Sequence, residues 1–314
     1  MATGIVSLAL SLDGRQTLAH ILLAVAALEW VALGLVVALR FVRGPASLLR
    51  PVRSPAALTA VAGTAVLATG LTGIGWTGPG AVLLASSLAL WLPLMKGALA
   101  GSGPTATGTS LMLTVSTESL AVLGTGIAIH EHAGWLVAAS LVPLVSGLVL
   151  YCAVIVRFDL RELTRGSGDQ WVAGGALAIS AFAAGRITLA AHDLDALGGI
   201  AGPLRTATIV LWVLAVLWLA PLLVGEAVRP RPRYRLARWS TVFPLGMYAA
   251  CSFDVGRLAP AAAVSTFARA WTWIALAAWT AVSAGLLRRI LRCTASRGSG
   301  LQGAPRRQHH PRVE

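Results

Sequence analysis

Long apolar runs separated by short polar connections dominate the pattern of this chain. Nine of these runs have close to the roughly 20 residues that a helix needs to cross a bilayer. Backbone groups in lipid must be paired within the segment, so the runs predict helices. They cover residues 18–39, 56–76, 80–100, 109–129, 133–156, 171–191, 206–228, 239–256 and 263–287. Residues 1–11 are apolar but shorter, and we count them as the second half of a first helix, which gives ten segments.

The overall composition excludes a water-soluble globular protein. Hydrophobic residues make up 56% of the chain, charged residues only 12%, and the mean hydropathy is +0.76. The connections are short, so we expect an all-α polytopic membrane protein with a single transmembrane domain over residues 1–293. Residues 294–314 are basic and rich in Gly and Pro, and we expect them to form a disordered cytoplasmic tail.

The net charge of +13 is unevenly placed. Of the 25 basic residues, 20 flank the same ends of the segments, and only Arg15, Arg205, Arg257 and Arg269 flank the other ends. Under the positive-inside rule the rich side is cytoplasmic, which predicts a multi-pass plasma-membrane protein with both termini in the cytoplasm. We assign the basic loops to topology and to contact with anionic lipid, and we expect no nucleic-acid partner.

Odd-numbered and even-numbered segments differ in composition. Gly, Ser and Thr make up about a third of the odd segments and about a sixth of the even ones, whereas most tryptophans lie in the even segments. Small residues suit close helix packing or a wet lumen. We therefore expect five inner helices ringed by five outer ones, with close packing and no lumen as the alternative. Four tryptophans are predicted to face lipid or a neighbouring subunit: Trp212, Trp218, Trp273 and Trp279.

The ninth segment contains the most informative motif, Trp239-Ser-Thr-Val-Phe-Pro-Leu-Gly-Met-Tyr-Ala-Ala250. Pro244 lacks an N–H and loosens the helix, and the freed carbonyls require protein or a polar cavity beside them. Gly246 removes bulk next to Phe243. The motif is typical of an aromatic plug in a conduit, formed by Phe243, Pro244 and Gly246. The alternative is a kinked packing helix with a core phenylalanine.

Ionisable groups at membrane depth are costly and point to function or to pairing. Glu118 can bind a proton, repel an anion or pair with Arg186, and Arg186 alone can attract anions. Glu29 is expected to make a contact between helices, and Asp254 can pair with Arg257 on one helix face. Further pore-lining candidates, which are small or hydroxylated residues of odd segments, are Thr117, Gly124 and Gly185.

Five stretches resemble the tellurite-resistance/dicarboxylate transporter family, which is related to the plant slow anion channels. The stretches are MATGIVSLA, SPAALTAVAGTAVLATG, VSTESLAVLGTGIA, DQWVAGGALAISAFAAG and, most specifically, YRLARWSTVFPLGMYAA. The resemblance implies five helical hairpins in a quasi-fivefold array around a central pore, assembly as a homotrimer, and occlusion of the pore by Phe243. Members of that family usually begin their first helix earlier, so the first helix is truncated here or the true start lies upstream of Met1.

The resemblance implies transport of a small anion: a C4-dicarboxylate, a tellurite-type oxyanion, sulfite, nitrate or a halide. A passive channel needs only a weakly binding lumen, whereas a proton-coupled carrier needs a titratable group, for which Glu118 is the candidate. A membrane-embedded enzyme would need a cluster of His, Asp and Glu at one depth, which the sequence does not suggest. The motifs that signal nucleotide or metal sites have the wrong spacing, so we expect no cofactor and no metal.

Overall fold

The structure, a computed structural model, describes residues 1–44, 52–165, 168–230 and 234–300, with side chains described as far as residue 292. Ten long helices follow one another in this part of the chain, in agreement with the all-α membrane fold predicted from the apolar runs. They are α1 Ala2–Leu12, α2 Gln16–Arg43, α3 Thr59–Gly73, α4 Thr77–Ala100, α5 Met112–His130, α6 Gly134–Ile155, α7 Trp171–Asp193, α8 Ala201–Val228, α9 Trp239–Leu258 and α10 Ala262–Gly300. A single helical turn, Glu162–Arg165, lies between α6 and α7.

Eight of the described helical segments are long and apolar enough to cross a membrane. The other two are α1, which has 11 residues, and α9, which carries Asp254 and Arg257. Because α9 is enclosed by other helices, its side chains do not have to match lipid. The last helix continues to Gly300, so residues 294–300 of the predicted disordered tail are helical. The remainder of that tail, 301–314, lies outside the described residues.

Burial alternates along the chain as the composition predicts. In each segment we compare one apolar stretch of 18 residues. In the segments that contain α5 and α7, 89% of this stretch is buried, and in the segment that ends with α3, 56% is buried. The corresponding share in the even-numbered helices is between 11% and 28%. In α1 and α9 most residues are also buried. The described residues therefore contain five buried helices and five peripheral helices.

The contacts between helices follow a closed order. Among the buried helices, α1 packs on α3, α3 on α5, α5 on α7, α7 on α9, and α9 returns to α1. Each peripheral helix packs against the buried helix before it and also against the next one, and α10 closes the series by packing on α1. The five buried helices of the described chain thus contact one another in a closed series.

Side chains of the peripheral helices repeatedly bond to the next buried helix. Four indole N–H groups donate to hydroxyl oxygens: Trp30 to Thr64 at 2.9 Å, Trp91 to Thr117 at 2.9 Å, Trp212 to Ser252 at 2.8 Å, and Trp279 to Thr3 at 3.0 Å. In the remaining pair of helices, the Tyr151 hydroxyl donates to the Ala173 carbonyl at 3.4 Å. The prediction that Trp212, Trp218, Trp273 and Trp279 face outward is therefore wrong in part. Trp218 is half-buried and packs edge-on against Phe158. Trp273 is 45% exposed, but Trp212 and Trp279 are half-buried and aim their N–H groups inward.

Candidate functional site

A narrow gap lies at the centre of the five buried helices. Every buried helix contributes at least one side chain to its lining. The lining residues are Ile5 and Leu8 of α1, Val66 and Thr69 of α3, Ser119 and Val122 of α5, Ile179 and Phe182 of α7, and Met247 of α9. Side chains one or two turns apart lie on the same helix face, so these residues also identify the face that each helix turns to the centre.

The lining offers an anion almost nothing to bind. Seven of the nine lining side chains are apolar. The hydroxyl of Thr69 donates to the Ala65 carbonyl at 2.8 Å, and that of Ser119 donates to the Ser116 carbonyl at 2.8 Å. Both hydroxyl protons are thus used within their own helices, as Ser and Thr commonly do. An apolar constriction of this kind excludes water and ions, so the gap as described is closed.

Phe243 is fully buried and lies one turn before Met247 on the same face of α9. Phe243 is not itself a lining residue, and it lies one turn from Met247 toward the start of α9. The surroundings of its two motif partners differ from the prediction. A methyl group added at Gly246 would come within 2.8 Å of Ile5 Cγ2, so Ile5 already occupies the space predicted to be free for the ring. Pro244 packs against Gly175, where an added methyl would come within 2.7 Å of its Cγ.

An ion pair lies at the opposite end of the gap. Arg186 follows Phe182 by one turn of α7, and Asp254 follows Met247 by two turns of α9, so both continue the faces that line the gap. Arg186 Nε lies 3.2 Å from Asp254 Oδ2. The guanidinium carbon of Arg186 also lies 5.1 Å from the centre of the Phe182 ring, within cation–π range.

This pairing overturns two predictions. Asp254 pairs with Arg186 across helices and not with Arg257 on its own helix. Glu118 does not pair with Arg186. The Ser180 hydroxyl instead lies 2.7 Å from Glu118 Oε1 and 2.8 Å from Oε2. Arg186 is six residues beyond Ser180 on α7, about 9 Å at 1.5 Å per residue, which separates the two charges.

Glu118 points away from the gap. Its side chain fills the space beside Gly147 of α6, where a methyl group would collide with the Glu118 Cγ atom. The next residue, Ser119, is the one that lines the gap. Glu118 is completely buried between α5, α6 and α7, so the described geometry gives it no open path to the centre.

The three small pore-lining candidates also lie off the gap. Thr117 accepts the Trp91 N–H from α4. A methyl at Gly124 would meet Ser140 of α6 at 2.9 Å, and one at Gly185 would meet Asp254 at 3.2 Å. In the described structure these residues contact neighbouring helices and are not among the residues that line the gap, so their place along a conducting pore stays a prediction.

Glu29 makes the contact between helices that was predicted for it. Its Oε2 accepts the Thr3 hydroxyl at 2.8 Å, and Thr3 in turn accepts the Trp279 N–H. This short chain of hydrogen bonds joins α2, α1 and α10. It gives Glu29 a structural role at the periphery.

A helical membrane protein whose buried helices meet around a closed central gap has the architecture of a channel or transporter. A family model described as voltage-dependent anion channel matches residues 1–287, so the chain belongs to that family. Membership confirms the resemblance seen in the five sequence stretches. The family consists of channels and transporters rather than enzymes.

Two curated relatives are similar to part of the chain. Both are described as uncharacterized membrane proteins of Mycobacterium tuberculosis, one from strain CDC 1551 / Oshkosh and one from strain H37Rv. Each is 33% identical over 152 residues, which cover 45% of this chain and 73% of the relative. No solved structure shows significant similarity to the chain.

Proposed function

We propose that this protein is a passive pore for small anions and that the structure represents its closed state, with Phe243 as the gate. The observation that carries the proposal is the central gap, to which all five buried helices contribute and whose lining provides no free hydrogen-bond donor from a side chain. The fully buried Phe243 ring lies one turn along from this lining. A phenyl ring there can seal the passage by bulk and dewetting alone.

The position of Glu118 favours a passive pore over a proton-coupled carrier. A coupling carboxylate has to reach the transport path, but Glu118 is directed toward Gly147 at the junction with α6. Its hydrogen bond to Ser180 gives it a role in holding α5 against α7. We therefore propose that Glu118 is structural. Because the chain belongs to a family of channels and transporters, we also propose that it is not an enzyme.

The arrangement around the pore extends this proposal. We infer five hairpins in a quasi-fivefold array, because the closed order of contacts and the repeated bond from each peripheral helix to the next buried one are what such an array requires. A homotrimer in the plasma membrane, with both termini in the cytoplasm, follows from the family resemblance and the basic loops. A reporter that is active only outside the cytoplasm, fused after Arg292, should then be inactive.

The test of the gate is Phe243→Ala in purified protein, with anion flux into liposomes and thermal stability measured on the same sample. A barrier that falls by 1.4 kcal/mol raises a rate tenfold, so we expect flux to rise by about tenfold or more. Phe158→Ala is the matched control, because Phe158 is also buried but lies after α6 against Trp218, away from the gap. It should lower stability and leave flux unchanged.

If Phe243 were only a packing residue, its truncation would cost about 3–5 kcal/mol of stability and open no path. Unchanged flux together with a large loss of stability would therefore refute the gate. The anions to compare are nitrate, chloride, sulfite, tellurite and a C4-dicarboxylate, since the resemblance implies this range.

A further inference from the structure

We infer that Arg186 and Asp254 form an anion site at the outer end of the passage and that this site selects small monovalent anions over dicarboxylates. The inference rests on the proposed function in one respect only, since it takes the central gap to be an anion route. It assigns a selective role to an ion pair that lies beyond the gap. The site is built from three observations.

The first observation is open space on two other buried helices, at the same number of turns beyond the gap as Arg186. On α3, Gly73 lies one turn beyond the lining residue Thr69, and on α5, Gly126 lies one turn beyond Val122. A methyl group added at either glycine would meet no atom within 4 Å. We take these two open points to mark a vestibule at the depth of Arg186, with room for an ion that keeps part of its water.

The second observation is that Arg186 has hydrogen-bond donors to spare. Its Nε faces Asp254, and within the described residues its two terminal amino groups donate no hydrogen bond. The side chain is 18% exposed, whereas that of Asp254 is not exposed at all. The guanidinium stands over the Phe182 ring, which lines the gap, so an anion bound to it would wait directly at the narrow part.

The third observation concerns charge. Neither carboxylate oxygen of Asp254 accepts a hydrogen bond from a described residue. Arg186 is its ion-pair partner, and the charge of Arg257, one turn on along α9, also acts on it. An arriving anion shares Arg186 with this carboxylate. A single cation with a fixed anion beside it can balance one further negative charge only weakly, and it repels a second one. Weak binding of this kind is what conduction requires.

The apolar gap also favours monovalent anions over dicarboxylates. An ion that leaves the vestibule must give up water to a lining that supplies no side-chain donor in return. Removing water from a charged group is costly and becomes more so as its charge rises. Weakly hydrated monovalent anions such as nitrate therefore suit both the site and the gap.

The first test measures binding without transport. Purified protein is titrated with sodium nitrate or sodium succinate at constant ionic strength, and thermal stability is followed, because a ligand of the folded state raises it. Nitrate should stabilise the wild type more than succinate does. Arg186→Gln should abolish the nitrate response. The control Arg269→Gln removes an outer-side charge that is 72% exposed and paired only loosely with Asp13, and it should leave the response unchanged.

The second test changes the counterion. In Asp254→Asn, Arg186 is released, and nitrate should bind about tenfold more tightly because an opposing charge has been removed from the site. The affinity for succinate should rise more than the affinity for nitrate, so the preference for nitrate over succinate becomes smaller. Arg186→Gln leaves Asp254 unpaired and can unfold the protein. The double variant Arg186→Gln/Asp254→Asn avoids this problem and should also show no nitrate response.

Two results would overturn the site: a wild-type nitrate response in the double variant, or tighter binding of succinate than of nitrate by the wild type. Flux measured in the Phe243→Ala background separates this inference from the proposed function. If Phe243→Ala opens the pore but flux is insensitive to Arg186→Gln/Asp254→Asn, the proposed pore is supported and the proposed anion site is refuted. If Phe243→Ala does not raise flux while nitrate binding requires Arg186, the anion site is supported and the role of Phe243 as the gate is refuted.

Discussion

The five buried helices and the five peripheral helices are built from different residues because they meet different neighbours. At Gly175 and Gly246, the backbones of α7 and α9 come so close to Pro244 and Ile5 that even a methyl group would not fit. On the peripheral α2, by contrast, a methyl at Gly34 would meet nothing within 4 Å, and most of the helix is exposed. In a membrane, side-chain size rather than polarity distinguishes an inner helix from an outer one, because lipid and protein interior are equally apolar.

The largest expected difference between the buried and the peripheral helices is the effect on stability of replacing a glycine by alanine. Gly175→Ala should cost about 1–3 kcal/mol, because the added carbon overlaps Pro244 and one helix has to shift. Gly34→Ala should be neutral or stabilise by about 0.5–1 kcal/mol, since alanine is the better helix former. Thermal unfolding of the two purified variants measures this contrast. Equal effects at the two sites would break the distinction between tight inner packing and loose periphery.

A smaller effect on stability is expected from replacing the tryptophans that join the peripheral helices to the buried ones. Trp212→Phe keeps an aromatic ring but loses the hydrogen bond to Ser252, which is worth about 0.6–1.5 kcal/mol. Trp273→Phe is the matched control on α10, because Trp273 is 45% exposed, and it should change stability by less than about 0.5 kcal/mol. If Trp212→Phe were as mild as the control, the repeated indole bond would contribute nothing to the assembly of the helices.

The smallest expected effect is that of Glu118→Gln on transport. Glutamine has the same shape and keeps a hydrogen bond to Ser180, so flux in the Phe243→Ala background should stay within about twofold of its parent, a difference of about 0.4 kcal/mol in the barrier. The measurement compares liposomes with and without a proton gradient. A proton-driven flux that disappears in Glu118→Gln would instead place this carboxylate in the transport cycle.

Much of the fold could be predicted from the chain alone. Apolar length predicted where most helices begin and end to within a few residues, although α10 continues to Gly300, well past the predicted end at residue 287. The Gly, Ser and Thr content of alternate segments separated buried from peripheral helices correctly. The helix face turned to the centre was harder to predict. Thr117, Gly124 and Gly185 lie on buried helices, yet each is turned toward a neighbouring helix, because a helix buried on all sides has no amphipathic stripe to reveal its orientation.

The charged pair shows the same limit. Depth along the chain suggested that Arg186 would meet Glu118, and spacing suggested that Asp254 would meet Arg257. The structure joins Arg186 to Asp254 because α7 packs beside α9 and both residues lie toward the C-terminal ends of these helices. One available signal was overlooked: Arg186 and Asp254 follow Phe182 and Met247 at helical spacing. That signal has value only after the lining face is known.

The sequence by itself determined that this protein lies in a membrane, that ten helices alternate between two kinds, and that it belongs to an anion-channel family, because length, composition and local motif are properties of consecutive residues. Only the tertiary structure decided which side chains meet. Gly246 makes room for Ile5 rather than for a moving ring, Glu118 is directed to the periphery, and Asp254 becomes the partner of Arg186. These contacts depend on the rotation of each helix about its own axis, and that rotation is set by packing between helices far apart in sequence.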